Sequence, residues 1–99
     1  MNNTLHVYVR DRKNNPIGIV LALRHEDNTY SLGWSYAKRK HDKFDKEMGL
    51  SIAMGRALCS RPCRSKVPYN VNKLIPQMED RAKRYFKNCN RSFSGIIVD

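Results

Sequence analysis

Five cations, Lys38, Arg39, Lys40, Lys43 and Lys46, crowd the stretch between Tyr36 and Glu47, where Asp42 and Asp45 are the only acids. Two aromatic residues, Trp34 and Tyr36, lie just upstream. Cations neutralise phosphates and exposed rings stack on bases, so this pairing suits an anionic, base-bearing partner such as RNA, DNA or a nucleotide. A charge run of this kind also serves as a plain solvated crossover. A second basic stretch, CSRPCRSKVP from Cys59 to Pro68, carries Arg61, Arg64 and Lys66 and no acid. Arg56 follows Gly55, where no side chain blocks a phosphate, although an ordinary surface arginine fits that position equally well. The candidate nucleic-acid contacts are therefore Tyr36, Lys38, Arg39, Lys40, Lys43, Arg56, Arg61, Arg64 and Lys66. A compact nucleotide pocket walled by Trp34, Gly49, Gly55 and Arg56 is the alternative. Trp34 also has a plainer reading, a large side chain covering the core.

Other chemistries draw less support. Asp42 and Asp45 are spaced to act as acid and base or to hold Mg²⁺, but their cationic neighbours depress both pKa values and disfavour an acid role. Capping the helix that follows is the simpler use of either carboxylate. Cys59, Cys63 and Cys89 are the chain's three cysteines. Their spacing departs from the usual zinc knuckle and no histidine pair follows, so no metal site is assigned. Cys59 or Cys63 with His41 could form a nucleophile pair, since local cations lower a thiol pKa. No phosphate-cradling loop, dinucleotide fingerprint or helical zinc-protease pair is present, and no Ser–His–Asp set is nominated. The chain reads as a binding protein without a cofactor rather than as an enzyme.

These residues need elements to position them. Thr4 to Arg10 alternates with a period of two, Leu5, Val7 and Val9 on one face, and predicts a half-buried strand. A turn over Asp11–Pro16 leads into Ile17–Leu23 (IGIVLAL), a short β-branched run that predicts a central strand. Gly18 marks a bulge or a close backbone approach. After a polar turn at His25–Asn28, Thr29–Tyr36 alternates again and completes an antiparallel meander. A helix over about Asp45–Leu58 follows, with Gly49, Ala53 and Ala57 as a small-residue stripe and Met48, Ile52 and Cys59 facing the sheet. A second helix begins near Asn72 with Pro76 in its first turn. Leu74, Ile75, Met78, Ala82, Tyr85 and Phe86 form its buried stripe, and Lys73, Arg81, Arg84 and Lys87 a positive ridge. The apolar tail FSGIIV predicts a short strand returning to the sheet edge. The result is an α+β fold, an antiparallel sheet of three or four strands packed against two helices.

Length and charge frame the reading. Ninety-nine residues fit one domain spanning 1–99, large enough to bury a core without staples. Nineteen Lys+Arg against nine Asp+Glu give a net charge of +10, a self-repulsion that a nucleic-acid partner offsets. No apolar run is long enough for a bilayer span, and the basic residues do not oppose a continuous greasy helix face. MNNTLHVYV lacks the features of a signal peptide. The expectation is a soluble, intracellular protein with no membrane partner.

The pattern Gly33-Trp34-Ser35, Asp42-Lys43-Phe44-Asp45-Lys46, Gly49-Leu50-Ser51-Ile52-Ala53 and Gly55-Arg56-Ala57 resembles small accessory proteins of tailed phages. Among them are proteins of T-even-type phages described as modifiers of suppressor tRNAs. The opening VYVRDRKNNPIGIVLAL and the final helix extend the resemblance over most of the chain. It implies a phage protein acting in the bacterial host cytoplasm, on tRNA or on a host defence. Joined to the basic surface, it gives a leading expectation of non-catalytic binding to structured RNA such as tRNA. The alternative is a counter-defence protein that binds a host protein or sequesters a nucleotide signal.

Overall fold

The computed structural model describes residues 3–37, 44–58, 67–87 and 89–95, with 91–95 described by their backbone alone. The chain folds in the order β1 (Thr4–Arg10), β2 (Pro16–Arg24), β3 (Thr29–Tyr36), α1 (Lys46–Leu58), α2 (Tyr69–Asn72), α3 (Ile75–Tyr85) and β4 (Asn90–Gly95). One four-stranded sheet has the order β1-β2-β3-β4. The α+β class and the antiparallel β1–β2–β3 meander follow the sequence expectation.

Turn chemistry sets the meander's register. Asp11 Oδ1 accepts from the backbone N–H groups of Lys13 and Asn15, both at 2.9 Å, and Asn14 takes a positive φ of 66°. Asn tolerates that left-handed geometry better than most residues. Asn28 plays the same part in the second turn with φ 62°, beside Asp27, whose Oδ1 accepts from the backbone N–H and the hydroxyl of Thr29. Those bonds, the hydroxyl's first, stabilise the ionised form and hold the Asp27 carboxyl below its usual range. Gly18 pairs with Val9 beside a register shift at Val9/Arg10. A Cβ at Gly18 would collide with the Ser35 carbonyl oxygen, so the close backbone approach anticipated for this glycine is realised, and the register shift falls beside it at Ile17.

The sheet is covered on both faces. On one side Val9, Val20, Ala22, Tyr30, Leu32 and Trp34 pack with Val71, Ile75, Met78, Ala82 and Phe86 of α2, α3 and the residue after it. On the other, Ile19 and Leu21 meet Ala53 and Ala57 of α1. This double coverage is why β2 reads as a continuous apolar run rather than an alternating one.

Four details differ from the sequence reading. First, α1 turns Gly49, Ala53 and Ala57 to the sheet, while Met48 and Ile52 are 62% and 43% exposed. The facing residues of β3 are Ser31, Gly33 and Ser35, all buried, so the helix seats small against small and comes close. A Cβ at Gly33 would strike the Ala53 carbonyl oxygen and lie 2.7 Å from the Ala57 nitrogen. Apolarity alone assigns Met48 and Ile52 inward; close approach overrides it. Cys59 lies outside the described residues.

Second, the helix expected from Asn72 is divided. Residues 69–72 form a single turn, and α3 starts at Ile75 with Pro76 in its first turn. Proline has no N–H to give to the Asn72 carbonyl, so a continuous helix through this point loses a bond. Third, Tyr85 is 65% exposed; Phe86, next along, takes the inward position. Fourth, β4 runs parallel to β3 and comprises Asn90–Gly95. The expected strand over FSGIIV overlaps it only at Phe93–Gly95, and Ile96–Val98 lie outside the described residues. No helix among the described residues is long and apolar enough to cross a membrane.

Candidate nucleic-acid interface

The predicted contacts Lys38, Arg39, Lys40, Lys43, Arg61, Arg64 and Lys66 lie outside the described residues, as do His41, Asp42, Cys59 and Cys63. What the structure places are Tyr36, Arg56 and the pocket set, together with a face on α2 and α3 that sequence reasoning only partly found.

Trp34 and Arg56 do come together. The Arg56 guanidinium sits 3.9 Å from the Trp34 ring centroid, and its Nη1 donates to the Trp34 carbonyl oxygen at 2.7 Å. The described pairing of β4 with β3 spans Thr29 to Leu32, so Trp34 lies beyond the paired part of that edge. Arg56 reaches from α1 to the carbonyl with a charge-assisted bond. Trp34 is 2% exposed and belongs to the core, as its plainer reading holds. Its indole N–H has no acceptor among the described residues; packing and the guanidinium hold the ring. Gly49 is closed in by Ile19, Phe44 and Ser35, whereas a Cβ at Gly55 meets open space. Among the described residues Gly49 and Gly55 thus look to different sides, and Arg56 with Trp34 fastens a seam between α1 and β3.

That seam has a second fastening. Ser31 Oγ donates to the Ala57 carbonyl oxygen in the last described turn of α1. His25 Nε2 lies 2.8 Å from Ser31 Oγ. With the serine proton directed at Ala57, the imidazole must donate through Nε2. Ser31 is fully buried and points its proton away from His25, so this Ser–His contact secures α1 and is not an activated nucleophile of the kind general-base catalysis needs. Asp45 likewise acts on the helix: its Oδ1 accepts from the backbone N–H of Glu47 at 2.9 Å and Met48 at 3.2 Å. This is the capping role expected of it.

Tyr36, the anticipated stacking ring, is half-buried against the core, and its hydroxyl accepts from Asn70 Nδ2 at 3.4 Å. The freely presented rings are elsewhere. Tyr69 is 79% exposed and Tyr85 65%. Each has a cation near its face, Lys73 Nζ at 5.9 Å from the Tyr69 centroid and the Arg81 guanidinium at 5.9 Å from that of Tyr85. Lys83, Arg84 and Lys87 are exposed on the same segment. Arg84 Nε donates weakly to the Asp80 carbonyl at 3.4 Å. Arg81, Arg84 and Tyr85 line an open hollow of about 300 Å³. Of the ridge read from the sequence, Arg81 and Arg84 lie together beside Tyr85, whereas Lys73 caps α2 beside Tyr69. Tyr85 ends α3 and Phe86 caps it; Phe86 takes the core side and leaves the tyrosine outside.

Comparison with family models, curated proteins and solved structures finds no match.

Proposed function

We propose that this is a non-catalytic phage accessory protein that binds structured RNA, tRNA among the candidates, through a basic surface. The observation that carries the reading is that Tyr69 on α2 and Tyr85 on α3, both exposed, each stand beside a cation. Rings left largely in solvent beside lysine and arginine match what a base-bearing polyanion offers. The net charge of +10 supports a broad footprint, to which the basic stretches holding Lys38, Arg39, Lys40, Lys43, Arg61, Arg64 and Lys66 contribute. The resemblance to tailed-phage proteins supports a bacterial host cytoplasm as the setting.

The test is a binding titration of the purified chain against a tRNA transcript at rising salt. Affinity should fall steeply, with the log–log slope flattening by about 0.7–0.9 for each phosphate contact removed by neutralising Lys38, Arg39 and Lys40. Co-purification from expressing cells with a stoichiometric host protein and no nucleic acid would overturn the reading.

That outcome would favour a second one, a counter-defence protein that binds a host protein. Met48, Ile52 and Leu58 support it: they are 62%, 43% and 61% exposed along one side of α1, a surface better matched to a protein than to phosphate.

A further inference from the structure

The ridge does more than present charge. We propose that the hollow at the C-terminal end of α3 takes an unpaired nucleotide of RNA, its base stacked on Tyr85 and its phosphate held by Arg81 and Arg84. This rests on the RNA-binding reading above and names the part of the RNA that the face selects.

Three observations converge on the hollow. Tyr85 is 65% exposed while its helical neighbours Ile75, Met78, Ala82 and Phe86 fill the core. Helix α3 therefore keeps its place without the ring, and the ring is left for a ligand. Arg81 stands one helical turn before Tyr85, its guanidinium 5.9 Å from the ring centroid, near enough for attraction and too far to lie flat on the ring and seal it. Arg81, Arg84 and Tyr85 border an open surface hollow of about 300 Å³, where a base can lie against the ring. The ring supplies a flat apolar wall and the two arginines a polar one. Arg84 donates through Nε to the Asp80 carbonyl, which leaves its terminal nitrogens for a phosphate. Tyr69 with Lys73 repeats the ring-and-cation arrangement on α2.

A duplex cannot use such a wall. Its base faces are already stacked on one another, so paired RNA offers this surface only phosphates and hydroxyls. An unpaired loop or end offers both a free base face and a phosphate, and stacking adds to the electrostatic attraction. The face therefore discriminates loops from stems, although its charges attract both.

The experiment compares two labelled RNAs, a hairpin with an extended loop and a fully paired duplex of equal phosphate count, against the full chain. Tyr85→Ala should weaken binding of the loop RNA by about 5- to 150-fold, the range set by loss of one stacked base, and leave the duplex unchanged. Tyr85→Phe, which keeps the ring, should restore loop binding. Arg81→Ala with Arg84→Ala should weaken both RNAs and flatten both salt slopes. A Tyr85→Ala protein that binds the loop RNA as the parent does, or loses both RNAs equally, overturns the inference while RNA binding stands. Failure of the parent chain to bind either RNA at low salt overturns the RNA reading itself. An unchanged thermal unfolding midpoint in Tyr85→Ala separates lost contact from lost fold.

Discussion

Two of the molecule's contacts between an arginine and an aromatic ring have opposite consequences. At the α1–β3 seam, Arg56 lies 3.9 Å from the centroid of a Trp34 that is 2% exposed, and also bonds its carbonyl. On α3, Arg81 lies 5.9 Å from a Tyr85 that is 65% exposed, beside an open hollow. The same pair of residue types closes a fold in the first case and leaves a surface in the second. Burial of the ring and a backbone partner for the cation make the difference. A cation beside an aromatic in a sequence therefore identifies neither role; the neighbours decide.

Substitutions that break the seam should cost the most. Gly33→Ala forces a Cβ into the backbone of α1 at Ala53 and Ala57, where no flexible side chain can give way. It should destabilise by about 3 kcal/mol or more, read as a large fall in the chemical unfolding midpoint. Arg56→Ala removes the bond to the Trp34 carbonyl and the cation over the ring. A loss of about 1.5–3 kcal/mol is expected. Arg56→Lys should recover only part of it, because an ammonium cannot lie flat on the indole and reach the carbonyl together.

The open pair should behave differently. Arg81→Ala and Tyr85→Ala should each change stability by less than about 0.5 kcal/mol, yet weaken binding of RNA loops. Should Arg56→Ala prove harmless to stability and damaging to RNA binding, the contrast between the two regions collapses.

The smallest effect belongs to the turn that leads into β3. The Asp27 carboxyl is held below its usual range chiefly by the Thr29 hydroxyl, so ionised Asp27 favours the folded state. A depressed folded-state pKa gives stability that is complete above the unfolded value, near pH 4, and drains away as pH falls through the lower folded value. Thr29→Ala should therefore shallow the acid side of the stability–pH curve and leave its neutral part nearly level. Unfolding midpoints measured from neutral to strongly acid pH check this.

How much of this was legible follows from what each signal depends on. The strands were legible because alternation and β-branching are local: Thr4–Arg10 and Thr29–Tyr36 each carry their own period. The Asp45 cap was legible because a carboxylate ahead of a helix has one obvious use, and the place of Pro76 in a first turn because its nitrogen lacks a proton, although the break before Ile75 was not. The facing of α1 was not, because apolarity nominates Met48 and Ile52. The deciding fact is a match between two distant stretches, Ser31, Gly33 and Ser35 against Gly49, Ala53 and Ala57. The direction of β4 also depends on distance, since the route of the chain around the sheet sets it. At the candidate site, the charge of the ridge was visible and its rings were not. Tyr36 was favoured for its place beside cations, but it is half-buried and bonded to Asn70. Tyr85 was assigned to the core when Phe86 could fill the space.

The central claim is that RNA meets the α2–α3 face and leaves the α1–β3 seam untouched. The most direct measurement is an amide chemical-shift titration of the full chain with the loop-bearing hairpin RNA. The account predicts that, among the described residues, the changes centre on Tyr69, Lys73, Arg81, Arg84 and Tyr85 and are negligible at Ser31, Gly33 and Ala57. Changes centred on Met48, Ile52 and the seam, with the α3 ridge unmoved, would contradict it.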